Sequence, residues 1–276
     1  MSMTKFGFVG IGNMGGAVAS VACKGIGAEN VVVFNPTTAK AEAFAAAHPG
    51  CTVAGSNREL AEACDVVVLG VKPQIVASVL EDLAPTFANE VAKGHHQVVA
   101  SIAAGWTLAQ YDELLAKHGL ELPVCTCMPN MPIRVGQGII LMCSNGKLTK
   151  NDEQTMLDAF APAGLVEFVK ESIVASATPV FSCSPAMTYI YIESLADGGV
   201  QIGLERKDAV RYAAQAVIGA ATLALEGEKH TGELRDELAT PCGMTITATN
   251  EMERRGFRAA VSTGIVTAYE HGKNMK

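Results

Sequence analysis

A short apolar run, Lys5 to Val9, leads straight into Gly10-Ile11-Gly12-Asn13-Met14-Gly15, and a helical pattern follows through Ala17, Val18, Val21 and Ala22. Few sequence features restrict a fold as tightly as this order of strand, glycine turn and helix. Gly10 permits the sharp turn, Gly12 lets the backbone come close to a pyrophosphate, and Gly15 lets the helix lie against the strand. The helix start then offers free N–H groups to the anion. A dinucleotide site is therefore expected over Gly10, Ile11, Gly12, Asn13, Met14 and Gly15, at the opening of a parallel α/β unit.

The alternation continues as that unit requires. A strand over Val31 to Phe34 precedes a helix over Thr38 to Ala47, a short strand over Cys51 to Val53 and a helix near Asn57 to Ala63. Asp65 to Val71 is a continuous apolar run and reads as a strand buried on both faces. Further strands are expected at Gln97 to Ser101, Leu122 to Cys127, near Gln137 to Met142, and at Leu165 to Val169. Beyond that point strand signals stop. Ser184 to Gly203 and Lys207 to Glu226 read as helices with no clear polar face, and Thr245 to Arg255 as a shorter one. The fold class is α/β: a Rossmann-type doubly wound sheet over residues 1–169, then an all-helical dimerisation and substrate domain over residues 170–276.

The second strand ends in Asn35-Pro36-Thr37-Thr38-Ala39-Lys40, with no Asp or Glu to hold a free ribose hydroxyl. Without that carboxylate a ribose phosphate is not repelled, and Asn35, Thr37, Thr38 and Lys40 could hydrogen-bond it, so NADPH is favoured over NADH. No arginine clamps this stretch. Lys72 follows a buried strand directly and falls where ligands sit in open parallel sheets, although a surface lysine before Pro73 is also consistent. Asn130, between Pro129 and Pro132, could meet the nicotinamide or the substrate, or serve as a turn residue.

In the helical part, Thr240-Pro241-Cys242-Gly243-Met244-Thr245 is the polar, glycine-bearing break. The N–H groups of Gly243, Met244 and Thr245 at a helix start suit a small carboxylate, and the Thr245 hydroxyl can donate or accept. Glu193 and Asp197 read as structural carboxylates rather than a catalytic pair.

Composition excludes several classes. The 21 Lys and Arg residues against 28 Asp and Glu give a net charge of -7, which disfavours nucleic acid and anionic membrane. The eight cysteines and six histidines show no metal-ligand or disulfide spacing, so no metal is expected, and His95-His96 reads as a solvated turn. Hydrophobic residues reach 49% against 18% charged, which predicts an oligomer. No leader precedes the first strand, so a cytoplasmic protein is expected. Ile173 to Ile192 carries no charge, but Pro179, Pro185 and five Ser or Thr residues interrupt it, and it reads as a buried interior.

Taken together, the chain resembles the pyrroline-5-carboxylate reductase family, which forms proline. The resemblance rests on Phe8 to Gly15, Val71-Lys72-Pro73-Gln74, Ser101 to Gly105, Met128-Pro129-Asn130, Ser194 to Val200 and the loop at Thr240. It implies NADPH as cofactor, with NADH as the alternative. The adenosine end falls to Asn35 and Asn57, and the cofactor is lined by Gly70, Val71, Lys72, Pro73, Ile102, Ala103 and Ala104. The resemblance assigns contact with the substrate nitrogen to Thr245 and a place near the active site to Glu228; Lys72, Glu228 or water would relay the proton. It further implies a homodimer whose active site uses both subunits, and a decamer of five dimers. Cys242 stands where the family usually has glycine, and Met244, Trp106, Met131, Ile133 and Arg134 also depart from its pattern. Two rivals remain. A beta-hydroxyacid dehydrogenase would need a lysine that Ser182 to Met187 lacks, and a protein that binds NADPH without turnover is kept open by Cys242 and Met244.

Overall fold

The computed structural model describes residues 4–274. The chain forms two compact units, one extending to Ser182 and the other covering Cys183–Gly272.

The first unit is an eight-stranded sheet. Its strands are β1 (Phe6–Val9), β2 (Val31–Phe34), β3 (Thr52–Val53), β4 (Val66–Leu69), β5 (Val98–Ser101), β6 (Val124–Pro129), β7 (Gly138–Ser144) and β8 (Gly164–Phe168), in the order β3-β2-β1-β4-β5-β6-β7-β8. All pairings are parallel except β6 with β7. Phe6 stands beside Val31 on one side and Val66 on the other. Side chains alternate across the sheet as strand geometry requires. Phe6, Phe8, Val66, Val68, Val98 and Ala100 share one core layer, while Val9, Val67, Leu69 and Val99 share the other. The first layer is covered by α1 (Asn13–Ile26) and by α6 (Lys150–Phe160), which follows β7. Helices α3 (Asn57–Ala63), α4 (Val76–Ala92) and α5 (Leu108–Ala116) cover the second. Both faces are thus apolar, which is why β4 reads as an uninterrupted Val-Val-Val-Leu. Helix α2 (Thr38–Ala47) joins β2 to β3.

Helix α7 (Glu171–Thr178) stays with this first unit. Its Glu171 carboxylate accepts from the Leu108 N–H at 2.8 Å, and the Phe181 carbonyl accepts from Asn130 at 2.8 Å. The change from strand to helix therefore comes at residues 169–171, while the compact division comes at Ser182 and Cys183.

The second unit contains α8 (Ser184–Gln201), α9 (Arg206–Glu226), α10 (Thr231–Glu237), α11 (Met244–Arg254) and α12, which runs Phe257–Asn274. Among its described residues only Ala196, Ala209 and Ala213 are buried. The single chain thus leaves these helices largely uncovered. Ile202 and Leu225 are each 84% exposed, so the apolar faces of α8 and α9 lie open in the single chain. The stretch expected to be interior is also largely uncovered: the helical run Glu171–Gln201 is long enough to cross a membrane and holds an 18-residue window apolar enough to do so, yet only 11% of that window is buried. A helix that is apolar all round needs more neighbours than one short bundle supplies.

At the opposite edge of the sheet from the strand C-termini, His95 and His96 are not a plain solvated turn. His95 Nδ1 faces Glu90 Oε2 at 3.0 Å and Nε2 faces Asp65 Oδ1 at 2.9 Å, while His96 contacts Asp152. Carboxylates accept only, so His95 must donate from both nitrogens. Asp197 pairs with Arg206, as a structural carboxylate would. The eight cysteines are free thiols, and no cluster able to hold a metal occurs among the described residues.

Candidate active site

Three glycines build the turn at the end of β1. Gly10 has φ +98°, which side-chain-bearing residues rarely adopt, and its N–H reaches the Phe34 carbonyl at 2.8 Å. A Cβ on Gly15 would lie 2.2 Å from the Gly10 carbonyl oxygen, and one on Gly70 would lie 2.4 Å from the same atom. Gly15 and Gly70 are thus wedged against the turn from two sides. At Gly12 a Cβ would meet nothing within 4 Å, so the backbone there faces open space. The first intrahelical bond of α1 runs from Gly16 N to Gly12 O, leaving the N–H groups of Asn13, Met14 and Gly15 without a partner in the helix. That cradle fits a pyrophosphate.

Asn35 braces the turn rather than standing free. Its Oδ1 accepts from the Ile11 N–H at 3.1 Å and its Nδ2 donates to the Thr37 carbonyl at 3.1 Å. The Ile11 N–H is therefore taken, and what Ile11 offers a ligand is its side chain. Beside the turn opens a cleft of about 880 Å³ lined by Ile11, Gly12, Asn13, Lys40, His48 and Arg134, among others. Lys40 lies where the sequence predicted a cation, and Thr37 and Thr38 stand exposed at the start of α2.

The stretch after β4 carries Gly70, Val71, Lys72 and Pro73, with Lys72 exposed. Trp106 donates its indole N–H to the Pro73 carbonyl at 3.0 Å, so the bulky departure from the family pattern ties this stretch to the loop after β5. In that loop the Ile102 N–H bonds the Leu69 carbonyl and the Ala103 N–H bonds Ser101 Oγ, while Ala104 is exposed. Asn57 donates to Asp82 at 3.1 Å, and its Oδ1 is a buried oxygen without a protein donor.

Two residues differ from their sequence reading. The Asn130 side chain, read from sequence either as meeting the nicotinamide or substrate or as a turn residue, is buried and committed to the fold: Oδ1 accepts from the Ile139 N–H at 2.9 Å and Nδ2 donates to the Phe181 carbonyl. Pro129 and Pro132 carry no backbone N–H, and the amide ties this stretch to β7 through Ile139 and to the Phe181 carbonyl. The second is Arg134, to which sequence reasoning gave no role. It sits in a tight turn, Met131–Val135, whose Ile133 is fully buried. The exposed guanidinium comes to 3.4 Å from the Asn13 carbonyl. An arginine from the turn between β6 and β7 therefore lines the same cleft as Lys40. Its one visible signal was position, an arginine just beyond a strand's carboxyl end.

In the second unit, Thr240-Pro241-Cys242-Gly243 forms a turn closed by the Gly243 N–H to Thr240 carbonyl bond at 2.9 Å. Cys242 has φ +58°, the single non-glycine residue with positive φ among the described residues, so the position the family fills with glycine does require left-handed backbone. A Cβ on Gly243 would lie 2.3 Å from Thr240 Oγ1, which keeps that position glycine. The first backbone bond of α11 runs from Thr247 N to Gly243 O. Met244, Thr245 and Ile246 therefore present free N–H groups, and the exposed Thr245 hydroxyl has no hydrogen-bond partner among the described residues. Glu228 lies in the exposed link between α9 and α10.

Residues 171–275 match the family description "Pyrroline-5-carboxylate reductase dimerisation", and residues 5–105 match "NADP oxidoreductase coenzyme F420-dependent". The chain is 33% identical over 275 residues to the pyrroline-5-carboxylate reductase of Escherichia coli, covering 98% of both. It is also 33% identical to the enzyme of that name from Methanosarcina acetivorans, covering 100% of this chain and 99% of the relative. Among solved structures, a Plasmodium falciparum pyrroline carboxylate reductase with NADP bound superposes with a TM-score of 0.83 at 30% identity, covering 100% and 99% of the two chains. A Coxiella burnetii pyrroline-5-carboxylate reductase gives 0.87 at 26% identity, covering 99% and 98%.

Proposed function

Because this chain belongs to the pyrroline-5-carboxylate reductase family, we propose that it reduces the imine of 1-pyrroline-5-carboxylate to L-proline, the last step of proline biosynthesis, with NAD(P)H as reductant. The observation that carries this reading is the span of the similarity, which runs through the glycine turn and the helical unit alike. A protein sharing only dinucleotide binding would match over the first unit alone.

Bound NAD(P)H supplies the hydride that adds to the imine carbon. A proton goes to the nitrogen, the C=N double bond becomes a single bond, and the product is a secondary amine. The chain's own residues hold the substrate. In this reading the free N–H groups of Met244 and Thr245 hold its carboxylate at the start of α11; the Gly243 N–H, expected from the sequence to join them, is committed to the Thr240 carbonyl and shapes the turn instead. The Thr245 hydroxyl orients the ring nitrogen by a hydrogen bond, and Lys72, Glu228 or water relays the proton. The reacting carbons must be held near contact, and the family implies that this happens across a homodimer.

The cofactor is assigned to Gly10, Ile11, Gly12, Asn13, Met14 and Gly15 at the turn, with Asn35, Thr37, Thr38 and Asn57 toward the adenosine. Gly70, Val71, Lys72, Pro73, Ile102, Ala103 and Ala104 line its path, and the Asn130 side chain, bonded to Ile139 and Phe181, has no part in it. NADPH is favoured over NADH by the absence of a carboxylate after β2 and by the nearby cations. The enzyme is inferred to be a cytoplasmic homodimer, with a decamer of five dimers as the larger assembly. The open apolar faces of α8 and α9 support the covering of one subunit by another.

The deciding experiment mixes purified protein, NADPH and pyrroline-5-carboxylate and follows the reduced cofactor's absorbance. Loss of absorbance dependent on the imine, with proline as product, is the expected result. Cofactor binding without turnover would leave only the non-catalytic rival.

A further inference from the structure

The cleft beside the glycine turn has a charge pattern that the turn alone does not explain. Lys24, Lys40 and Arg134 line it together with His48, and none of its lining residues is acidic. The chain as a whole is acidic, at -7, so this local excess of cations runs against the background. The three side chains come from separate elements: Lys24 from the end of α1, Lys40 from the first turn of α2, and Arg134 from the turn between β6 and β7.

Of these, Arg134 is the one the fold aims. Ile133, immediately before it, is fully buried in the layer that also holds Ala17 and Val18 of α1. The turn is also pinned from below, since a Cβ on Gly138 would lie 2.3 Å from the Ile133 nitrogen. With its neighbour locked in the core, Arg134 is directed toward the start of α1, where Nη2 reaches the Asn13 carbonyl at 3.4 Å. That single long bond uses one of five guanidinium donors and leaves a fork free. The free N–H groups of Asn13, Met14 and Gly15 occupy the same end of the helix.

We propose that Arg134 is a phosphate clamp of the dinucleotide site, adding a guanidinium beside the backbone N–H cradle at the start of α1. The proposal rests on the reading of the glycine turn as a dinucleotide site and adds to it a residue absent from the glycine fingerprint. The shared chemistry is a phosphate ester, whose source is either the pyrophosphate common to NADH and NADPH or the ribose phosphate that only NADPH carries. A planar guanidinium can take two oxygens of either group at once. Lys40, a point charge on a flexible stem, would assist without fixing the geometry.

The test is equilibrium binding by calorimetry, with no turnover involved. Wild type, Arg134→Ala, Arg134→Gln and Arg134→Lys are each titrated with NADPH and with NADH. Loss of a charge-assisted bond to phosphate should weaken binding by about ten- to a hundred-fold in the Ala and Gln variants, with partial rescue in Lys. Equal weakening for both nucleotides assigns the pyrophosphate; weakening for NADPH alone assigns the ribose phosphate. Thermal midpoints without nucleotide should match wild type in at least one variant, because the side chain is exposed. Unchanged affinity for both nucleotides in a folded variant overturns the clamp while leaving the dinucleotide site standing. Failure of the wild type to bind either nucleotide overturns both.

Discussion

In β4 all four residues are buried, while in the 21 residues of α9 only Ala209 and Ala213 are. Both segments are rich in apolar and small residues, but the strand is enclosed by helices on two faces and the helix has one face covered at most. The first unit is thus complete as a folding unit, with two core layers and a sheet between them. The second presents Met244 at 91% exposure and Leu225 at 84%, a surface that a soluble chain keeps only if another molecule covers it. The contrast separates two uses of apolar sequence: in one unit it makes a core, in the other an interface.

The largest expected effect tests the closed unit. Gly15→Ala would drive a Cβ into the Gly10 carbonyl and should destabilise the protein by about 3 kcal/mol or more while abolishing NADPH binding. Urea denaturation and calorimetry measure both. The matching change in the open unit is Gly219→Ala in α9, where a Cβ meets nothing within 4 Å of the single chain. On an uncovered helix it should stabilise by about 0.5 to 1 kcal/mol; destabilisation with loss of the dimer would mean that a second subunit packs there.

Next in size is Thr245→Ala. It should lower kcat/KM by an amount equivalent to about 1 to 3 kcal/mol, and leave the Kd for NADPH unchanged. Unchanged turnover and substrate affinity would remove Thr245 from the mechanism. Smaller again is Cys242→Gly, which relieves left-handed backbone at φ +58° at the cost of a more flexible unfolded chain. A net gain of about 0.5 to 1 kcal/mol in the denaturation midpoint is expected, and a loss would show that the thiol itself is needed.

The smallest effect lies at the far edge of the first unit. Burial opposes protonation of His95, but hydrogen bonds to Asp65 and Glu90 outweigh it and raise its pKa. Glu90 is held low by Lys93 and His95. For Asp152 burial pushes upward, and the Thr149 N–H, His96 and the Thr149 hydroxyl together overcome it. The raised imidazole contributes stability in full below about pH 6.5 and loses it as pH climbs through the folded-state value. The two lowered carboxylates behave oppositely, contributing above the ordinary carboxylate range and failing on acidification. His95→Gln should therefore flatten the alkaline side of the thermal-midpoint profile, by the equivalent of about 1 kcal/mol or less because the site is partly solvated. Flattening of the acid side alone would contradict the assignment.

Taken alone, the amino-acid sequence determined the alternation of strands and helices and the glycine turn, whereas the left-handed backbone at Cys242 came only with the structure. The first two depend on periodicity and backbone sterics within a few residues, so they can be read locally. Thr245 was legible for the same reason, as a hydroxyl at a helix start behind a proline-glycine turn. The tertiary structure alone decided that Asn130 braces the chain with its amide, that Trp106 fastens the stretch after β4, and that Arg134 reaches the turn at Asn13 across 121 positions of sequence. It also decided that α8 and α9 end with their apolar faces open. Such outcomes are set by which crossovers bring distant segments together, and no local pattern encodes the partner a side chain meets at long range.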